Sequence, residues 1–335
     1  MPDMSEFKLP DDYRHRLPRS WQPWLDQLAG LITTYLERWE LTIVGEFPLS
    51  YCYVVPVERA DGRACVLKVQ PTDIPGVEGA ARELLGLRLA GPITVDVIDE
   101  DVRNGVLLLD RALPGTALDE MTEWNDDDAT QTLALVIRDY GRVVDDPDAS
   151  GLRRFEEFAE AFERFDSGPH GRLARSTPTA KPRTQSSAVL GMDSLGIETI
   201  QSARDTAERV LTDLLVDHGK PYLLHGDLHH GNVLFDEQRG LLVIDPWGLY
   251  GDRSVEVAPA LHNPIEFVAR APDVDSLIRR RLGIYSEVLD LNNELLAAWC
   301  YVYNVIRALW TLEDGGEFSE LGAGERTVAA LRKLI

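Results

Sequence analysis

The sequence predicts an α+β chain in two lobes: a small antiparallel-sheet lobe over residues 1–112 and a larger, mainly helical lobe over 113–335. Three observations predict it. Residues 41–70 are rich in β-branched and aromatic side chains and are broken by the turn pair Asp61-Gly62. Beyond about residue 115 the apolar residues mostly follow helical spacing. Two polar segments, "HGDLHHGN" and "DPWG", stand at the ends of short apolar runs near Leu223 and Val243.

The elements follow in order. Residues 21–39 carry one apolar stripe through Trp21, Leu25, Leu28, Ile32, Tyr35 and Leu36, the spacing of an amphipathic helix. Three antiparallel strands are expected at about 41–46, 51–58 and 63–70. The segment "GVEGAARELLGLRLAG" reads as a helix ending near Gly91, and "VLLLDRALPG" (106–115) as a strand running into a Pro-Gly turn. Helices are expected from there to about 220, interrupted by residues 166–194. That stretch is rich in Ser, Thr, Pro, Gly and Arg, lacks an apolar period, and reads as a mobile loop. Two short strands near Leu223 and Val243 come next, and the remainder is helical.

Composition narrows the function classes. The formal net charge is −22 over 335 residues, and no basic cluster of useful size interrupts it, so no nucleic-acid partner is expected. No run of about 18 apolar residues is evident, so no membrane span is expected. The first residues lack the apolar core of a secretory signal, and Cys52, Cys65 and Cys300 are few and scattered. A cytoplasmic, monomeric protein acting on a small molecule is the expectation.

Three histidines in six residues invite a zinc reading. However, His225, His229 and His230 lack the i, i+4 pattern of a helical zinc site, and no cysteine pair is near. Mg2+ fits better, because it takes oxygen ligands and binds through one or two carboxylates plus phosphate oxygens. Asn232 offers an amide oxygen and Asp245 a carboxylate at a strand end. Asp227, five residues before Asn232, is then free to accept a proton from a substrate hydroxyl. Base, amide ligand and acidic ligand on two loops are the parts used for phosphoryl transfer, and D-x-x-x-x-N is the spacing protein kinases use. In "RACVLKVQ", strand alternation puts Lys68 on the face of Val66 and opposite Cys65, Leu67 and Val69. A lysine on a buried strand needs an anion, and nucleotide phosphates supply one. Glu83 in the next helix can orient it by ion pairing, with Glu78 as the competitor. In "EFPLSYC", where kinases place a glycine-rich loop, only Gly45 is close, and Ser50 could bond a phosphate.

On these residues the chain resembles the aminoglycoside phosphotransferase branch of the protein-kinase-like fold. "HGDLHHGN" and "VIDPWGLYGD" are similar to that family's two signatures. More narrowly it resembles the streptomycin 6-phosphotransferase and hydroxyurea phosphotransferase group, through "WLDQLAGLITTYLERWELTIVGEF", "LLLDRALPG" and "ALWTLEDG", from about residue 10 to 315. The resemblance implies a bilobal kinase-like fold and phosphorylation of a small-molecule hydroxyl with Mg2+ and ATP, or GTP. Asp227 would be the base, Asn232 and Asp245 the metal ligands, and Lys68 with Glu83 the phosphate holders. Asp110 and Ala112 would present backbone groups to the purine, and Ile43, Leu234 and Ile244 would sandwich its ring.

The helix "YVYNVIRALWTLEDG" is mostly apolar, yet Asn304, Arg307, Thr311 and Asp314 share one face. Glu313 and Asp314 are the expected carboxylates for a cationic acceptor. Arg307 could neutralise Asp314, repel a guanidinium substrate, or serve structure alone. Trp247 could wall the acceptor pocket or simply pack. Glu256 stands where such kinases often carry aspartate. A metabolic sugar or amino-sugar kinase on the same fold is the alternative. A catalytically dead relative is disfavoured because Lys68, Asp227, Asn232 and Asp245 are all present.

Overall fold

The computed structural model describes residues 9, 13, 17, 21–49, 51–72, 79–121, 125–147, 150–169, 194–216, 219–313 and 322–335. Ser50, Glu78, Asp314 and most of the 166–194 segment lie outside them. The chain forms two compact units: Met1–Thr116 with Leu234–Gly248, and Ala117–Val233 with Leu249–Ile335. The hairpin at 234–248, assigned from sequence to the larger lobe, thus packs with the smaller unit.

In the smaller unit, α1 (Gln22–Arg38) precedes β1 (Leu41–Ile43), β2 (Tyr53–Arg59) and β3 (Ala64–Val69). Pro23 stands in the first turn of α1, where its missing N–H costs nothing, and the helix gives way to β1 through Glu40, whose φ is 53°. After α2 (Ala80–Ala90) come β4 (Val97–Asp101) and β5 (Val106–Asp110). The five strands form one sheet in the order β1-β2-β3-β5-β4, antiparallel throughout. Sequence reading missed β4, because "VIDED" is a half-exposed edge strand with too few apolar residues to alternate. The predicted strand 106–115 is instead β5 followed by a short β6 (Pro114–Ala117).

Both faces of this sheet are covered. On one, Leu25, Leu28, Ile32 and Tyr35 of α1 pack on Val55, Val57, Cys65, Leu67 and Val69. On the other, Ala80, Leu84 and Leu87 of α2 pack with Leu107, Leu109, Ala112 and Leu242, and Val66, Leu234 and Ile244 join them partly buried. Alternation therefore directs Lys68 to the α2 face, as the strand period predicts.

The larger unit contains α3 (Asp126–Tyr140), β7 (Arg153–Arg154), α4 (Glu160–Ser167), α5 (Ser194–Leu214) and β8 (Tyr222–Leu224). The hairpin strands β9 (Val233–Asp236) and β10 (Gly240–Val243) follow; β10, β9 and β6 form a three-stranded sheet. The larger unit resumes with β11 (Leu249–Gly251), α6 (Ala258–Leu261), α7 (Ile265–Arg270), α8 (Val274–Leu289), α9 (Asn293–Glu313) and α10 (Gly322–Arg332). Helix α9 is mostly apolar because it is the core of this unit, with Trp299, Cys300, Tyr301, Val302, Tyr303 and Ile306 buried. It is long and apolar enough to cross a membrane by length and composition, but 72% of its most apolar window is buried inside the protein.

One polar group inside this core fixes several elements. The fully buried Arg281 donates to Asp126 (3.1 and 2.5 Å) and to the carbonyls of Ala260, Leu261 and Asn263 at 2.9, 3.1 and 2.7 Å. Arg280 also reaches Asp126 at 2.9 Å. Arg281→Met is expected to destabilise the protein by about 3 kcal/mol. This is the low end for breaking a buried pair, because Arg280 still meets Asp126. The check is a lower urea midpoint at unchanged slope. An unshifted midpoint would show that the fork carries no net stability.

Candidate active site

In the smaller unit the site is built around Lys68. Its Nζ donates to Asp245 at 2.8 Å and lies 2.8 Å from Glu83. Glu83 also accepts from the buried Gln70 amide, so its place is fixed from two sides. Lys68 is almost fully buried, and burial alone would lower its pKa. The charges of Asp245 and Glu83 outweigh that and raise it, so the ammonium stays charged. Burial pushes the Glu83 carboxyl up, against the opposing Lys68 charge.

Asp245 sits in the left-handed region at φ 62°, a conformation that a non-glycine residue adopts only when its surroundings impose it. Here they do. The strand β10 ends at Val243, Pro246 packs against Gly86 of α2, and Gly248 at φ 64° passes so close to the Arg82 carbonyl that a Cβ would overlap it. The two glycines allow the backbones of α2 and the 246–248 turn to touch, and that contact turns the Asp245 carboxylate toward Lys68.

Asp110 donates its N–H to the Asp96 carbonyl (2.8 Å), and its carboxylate accepts from Arg63 at 3.0 Å. Ala112 is buried in the α2-side core with Leu234 and Ile244 beside it. The structure separates Ile43 from these two. Ile43 pairs with Val57 across β1 and β2 and therefore points to the α1 face. The next residue, Val44, donates its N–H to Pro56, opposite Val66, and takes the Lys68 face. Which face Ile43 takes depends on the pairing register of β1, which the strand read alone does not give. Trp247 is half-buried in the turn that follows Asp245.

In the larger unit the loop after β8 is held from several directions. The Glu256 carboxylate accepts the N–H groups of His225 (2.6 Å) and Gly226 (3.3 Å). The His225 ring accepts the Asp227 N–H at 3.3 Å, and His229 accepts the Gly231 N–H at 3.1 Å. The side-chain amide of Asn232 donates to the Asp227 carbonyl at 2.9 Å, which leaves its Oδ1 as the free acceptor. The histidines therefore order the loop, as expected for His225. Buried His230 is pushed down to about 3, first by burial and then by the Arg281 charge, so it is neutral. Among the described residues no three His, Cys, Asp or Glu side chains converge as a metal set.

Tyr303 was missed from sequence. Its hydroxyl donates to the Gly226 carbonyl at 2.9 Å, and burial, with the charge of the Asp227 carboxylate beside it adding, holds that hydroxyl well above the ordinary tyrosine range. A tyrosine in an apolar helix reads as core, and no spacing signal sets this one apart. Two expected acceptor contacts are placed elsewhere. Asn304 is buried, its Oδ1 bonded to His262 (2.8 Å) and its amide to Ala258 and Cys300, so every group it could offer a substrate is used. Glu313 is held by Arg164 through contacts of 3.2 Å, which neutralises the charge a cationic acceptor would need. Arg307 is half-buried near Gly324, and its charge adds to burial in holding His262 well below the ordinary histidine range.

Glu256 sets a pH dependence. Burial, with the Asp227 charge adding, pushes its carboxyl up to about 8 from 4.5, while the backbone donors oppose the shift. The folded chain then holds this proton more tightly than the unfolded chain between those two pH values. Stability falls as pH rises through that window and is level above it. Glu256→Gln is expected to remove this slope. Denaturant midpoints at pH 5 to 8, wild type against variant, check it; parallel curves would assign the slope to other groups.

Residues 38–315 match the model of a family described as aminoglycoside/hydroxyurea antibiotic resistance kinase. Streptomycin 6-kinase from Streptomyces glaucescens is 32% identical over 296 residues, covering 88% of this chain and 86% of that protein. Hydroxyurea phosphotransferase from Kitasatospora aureofaciens is 30% identical over 315 residues, covering 93% and 80%. Among solved structures, a thermostable mutant of an aminoglycoside phosphotransferase in ternary complex with ADP and hygromycin B superposes with a TM-score of 0.57 at 18% identity, covering 89% of this chain and 97% of that one. At that identity the likeness speaks to the fold.

Proposed function

The chain belongs to the aminoglycoside/hydroxyurea antibiotic resistance kinase family, and from that premise we propose that it transfers the γ-phosphoryl group of ATP to a hydroxyl of an aminoglycoside of the streptomycin type. The observation that carries this reading is the buried Lys68 ammonium held between Glu83 and Asp245. Such an ion pair positions nucleotide phosphates, and the family supplies the acceptor class.

Asp227 is assigned as the general base that takes the hydroxyl proton. Lys68, oriented by Glu83, holds the phosphates, and Ser50 is assigned to a phosphate as well. The Asp110 carbonyl and the Ala112 N–H face the purine, with Leu234 and Ile244 against the ring. Asn232 and Asp245 are assigned to Mg2+. The donor set fits in kind: Asn232 offers an amide oxygen and Asp245 a carboxylate. Both are hard oxygens of the kind Mg2+ selects. When bound, the ion would neutralise charge on the β- and γ-phosphates. On the chain's own side, Tyr303 and Glu256 hold the loop so that the Asp227 carboxylate keeps its direction, and Trp247 is assigned to the wall of the acceptor pocket.

The test is release of ADP from ATP with Mg2+ by the purified protein, across streptomycin, hydroxyurea, tuberactinomycin peptides and amino sugars. Streptomycin-dependent turnover is the expected result. Turnover with hydroxyurea or an amino sugar alone would replace the acceptor assignment, and preference for GTP would replace the donor.

A further inference from the structure

A groove of about 650 Å³ opens in the larger unit among Asp119, Pro264, Phe267, Asp273, Leu277 and Arg280. Its charges are mostly matched. Arg270 meets Glu266 at 3.0 Å, and Arg280 is shared between Asp126 (2.9 Å) and Asp127 (2.5 Å). Asp273 caps α8, accepting the Ser276 N–H and hydroxyl at 3.0 and 2.7 Å. Asp119 differs: its exposed carboxylate meets its own backbone N–H and, among the described residues, no side chain. Partial burial, with that N–H opposing and the charge of Glu120 adding, raises its pKa.

Asp119, one of the residues lining the groove, also stands beside the loop that carries the assigned base. Asp119 Oδ2 lies 3.9 Å from where a Cβ on Gly231 would stand. Gly231 is four residues from Asp227, a stretch of chain that spans at most about 14 Å. A molecule of two or three rings that presents a hydroxyl at Asp227 can therefore reach Asp119. The absent side chain at Gly231 keeps that path open, since any larger residue would crowd the His229 ring and approach Asp119. Pro264 and the half-buried Phe267 add apolar wall, suited to the carbon faces of a sugar.

We propose that this groove is an acceptor subsite in which Asp119 binds an amine or guanidinium of a multi-ring acceptor, remote from the hydroxyl that is phosphorylated. The proposal rests on the phosphotransferase reading above and specifies where the acceptor's positive charge is met. It replaces Glu313, whose charge Arg164 already satisfies, as the first carboxylate for a cationic acceptor.

The test is calorimetric titration of the full chain with streptomycin, at low and high salt, using Asp119→Asn and Ser276→Trp. The first removes the charge and keeps the shape; the second fills the groove from the exposed first turn of α8. Streptomycin affinity is expected to fall about five- to tenfold in Asp119→Asn, with a weaker salt dependence, as a partly dehydrated rim charge allows. Ser276→Trp is expected to weaken binding comparably. ATP titration of each variant reports that it is folded. If the wild type binds and phosphorylates streptomycin and both variants bind it equally well, the groove is not the subsite. If the wild type neither binds nor phosphorylates it, the acceptor reading fails first, and the subsite falls with it.

Discussion

Replacing Asp227 with asparagine is expected to lower turnover by about 10²–10⁴-fold, the range that a positioned general base contributes. The variant keeps the size and polarity of the side chain, so it can still meet Tyr303 and His229, and the loop is also held through its backbone. Asn232 bonds the Asp227 carbonyl, His225 the Asp227 N–H, and Tyr303 the Gly226 carbonyl. Nucleotide affinity should therefore stay within about twofold, and the loss should appear in kcat. Single-turnover measurements with saturating acceptor separate the chemical step from release. An asparagine variant with near-normal kcat would sink the assignment of Asp227 as base.

Lys68→Met is expected to cost about 10²–10³-fold in turnover, the scale for removing one preorganised donor from a transferring group. It should also destabilise the protein, because Glu83 is then left buried without its ion pair and Asp245 loses its partner. The two effects can be told apart. Glu83→Gln in the Lys68→Met background removes the stranded charge, so the double variant should regain stability and not activity. Denaturation midpoints and kcat/KM for the four proteins of this cycle give the answer. Recovery of turnover in the double variant would mean that Lys68 matters for folding and not for phosphate.

The chemistry legible along the chain alone lies within short segments. Asp227 and Asn232 stand five residues apart on one loop, and Asp245 ends the next strand-like run; their side chains are too polar for buried strands and too few for a metal cage. Lys68 was legible for the same reason, since strand alternation within 63–70 is local and places it opposite Cys65, Leu67 and Val69. The helix at 22–38 and the strands β2 and β3 followed from periods that need no partner. The tertiary structure decided everything that depends on what a segment meets. Glu83 was placed against Lys68 by the side of α2 that packs on the sheet. Ile43 and Val44 exchange faces with the register of β1 on β2, and the edge strand β4 exists only because β5 pairs with it. Asn304 and Glu313 looked available for substrate on the helical period of α9, yet His262 and Arg164, distant in sequence, occupy them. Tyr303 looked like core, yet it braces the Asp227 loop. The physical reason is common to all of these. Periodicity reports which face a residue takes, but hydrogen-bond capacity is finite, and only long-range packing assigns each donor and acceptor to its partner.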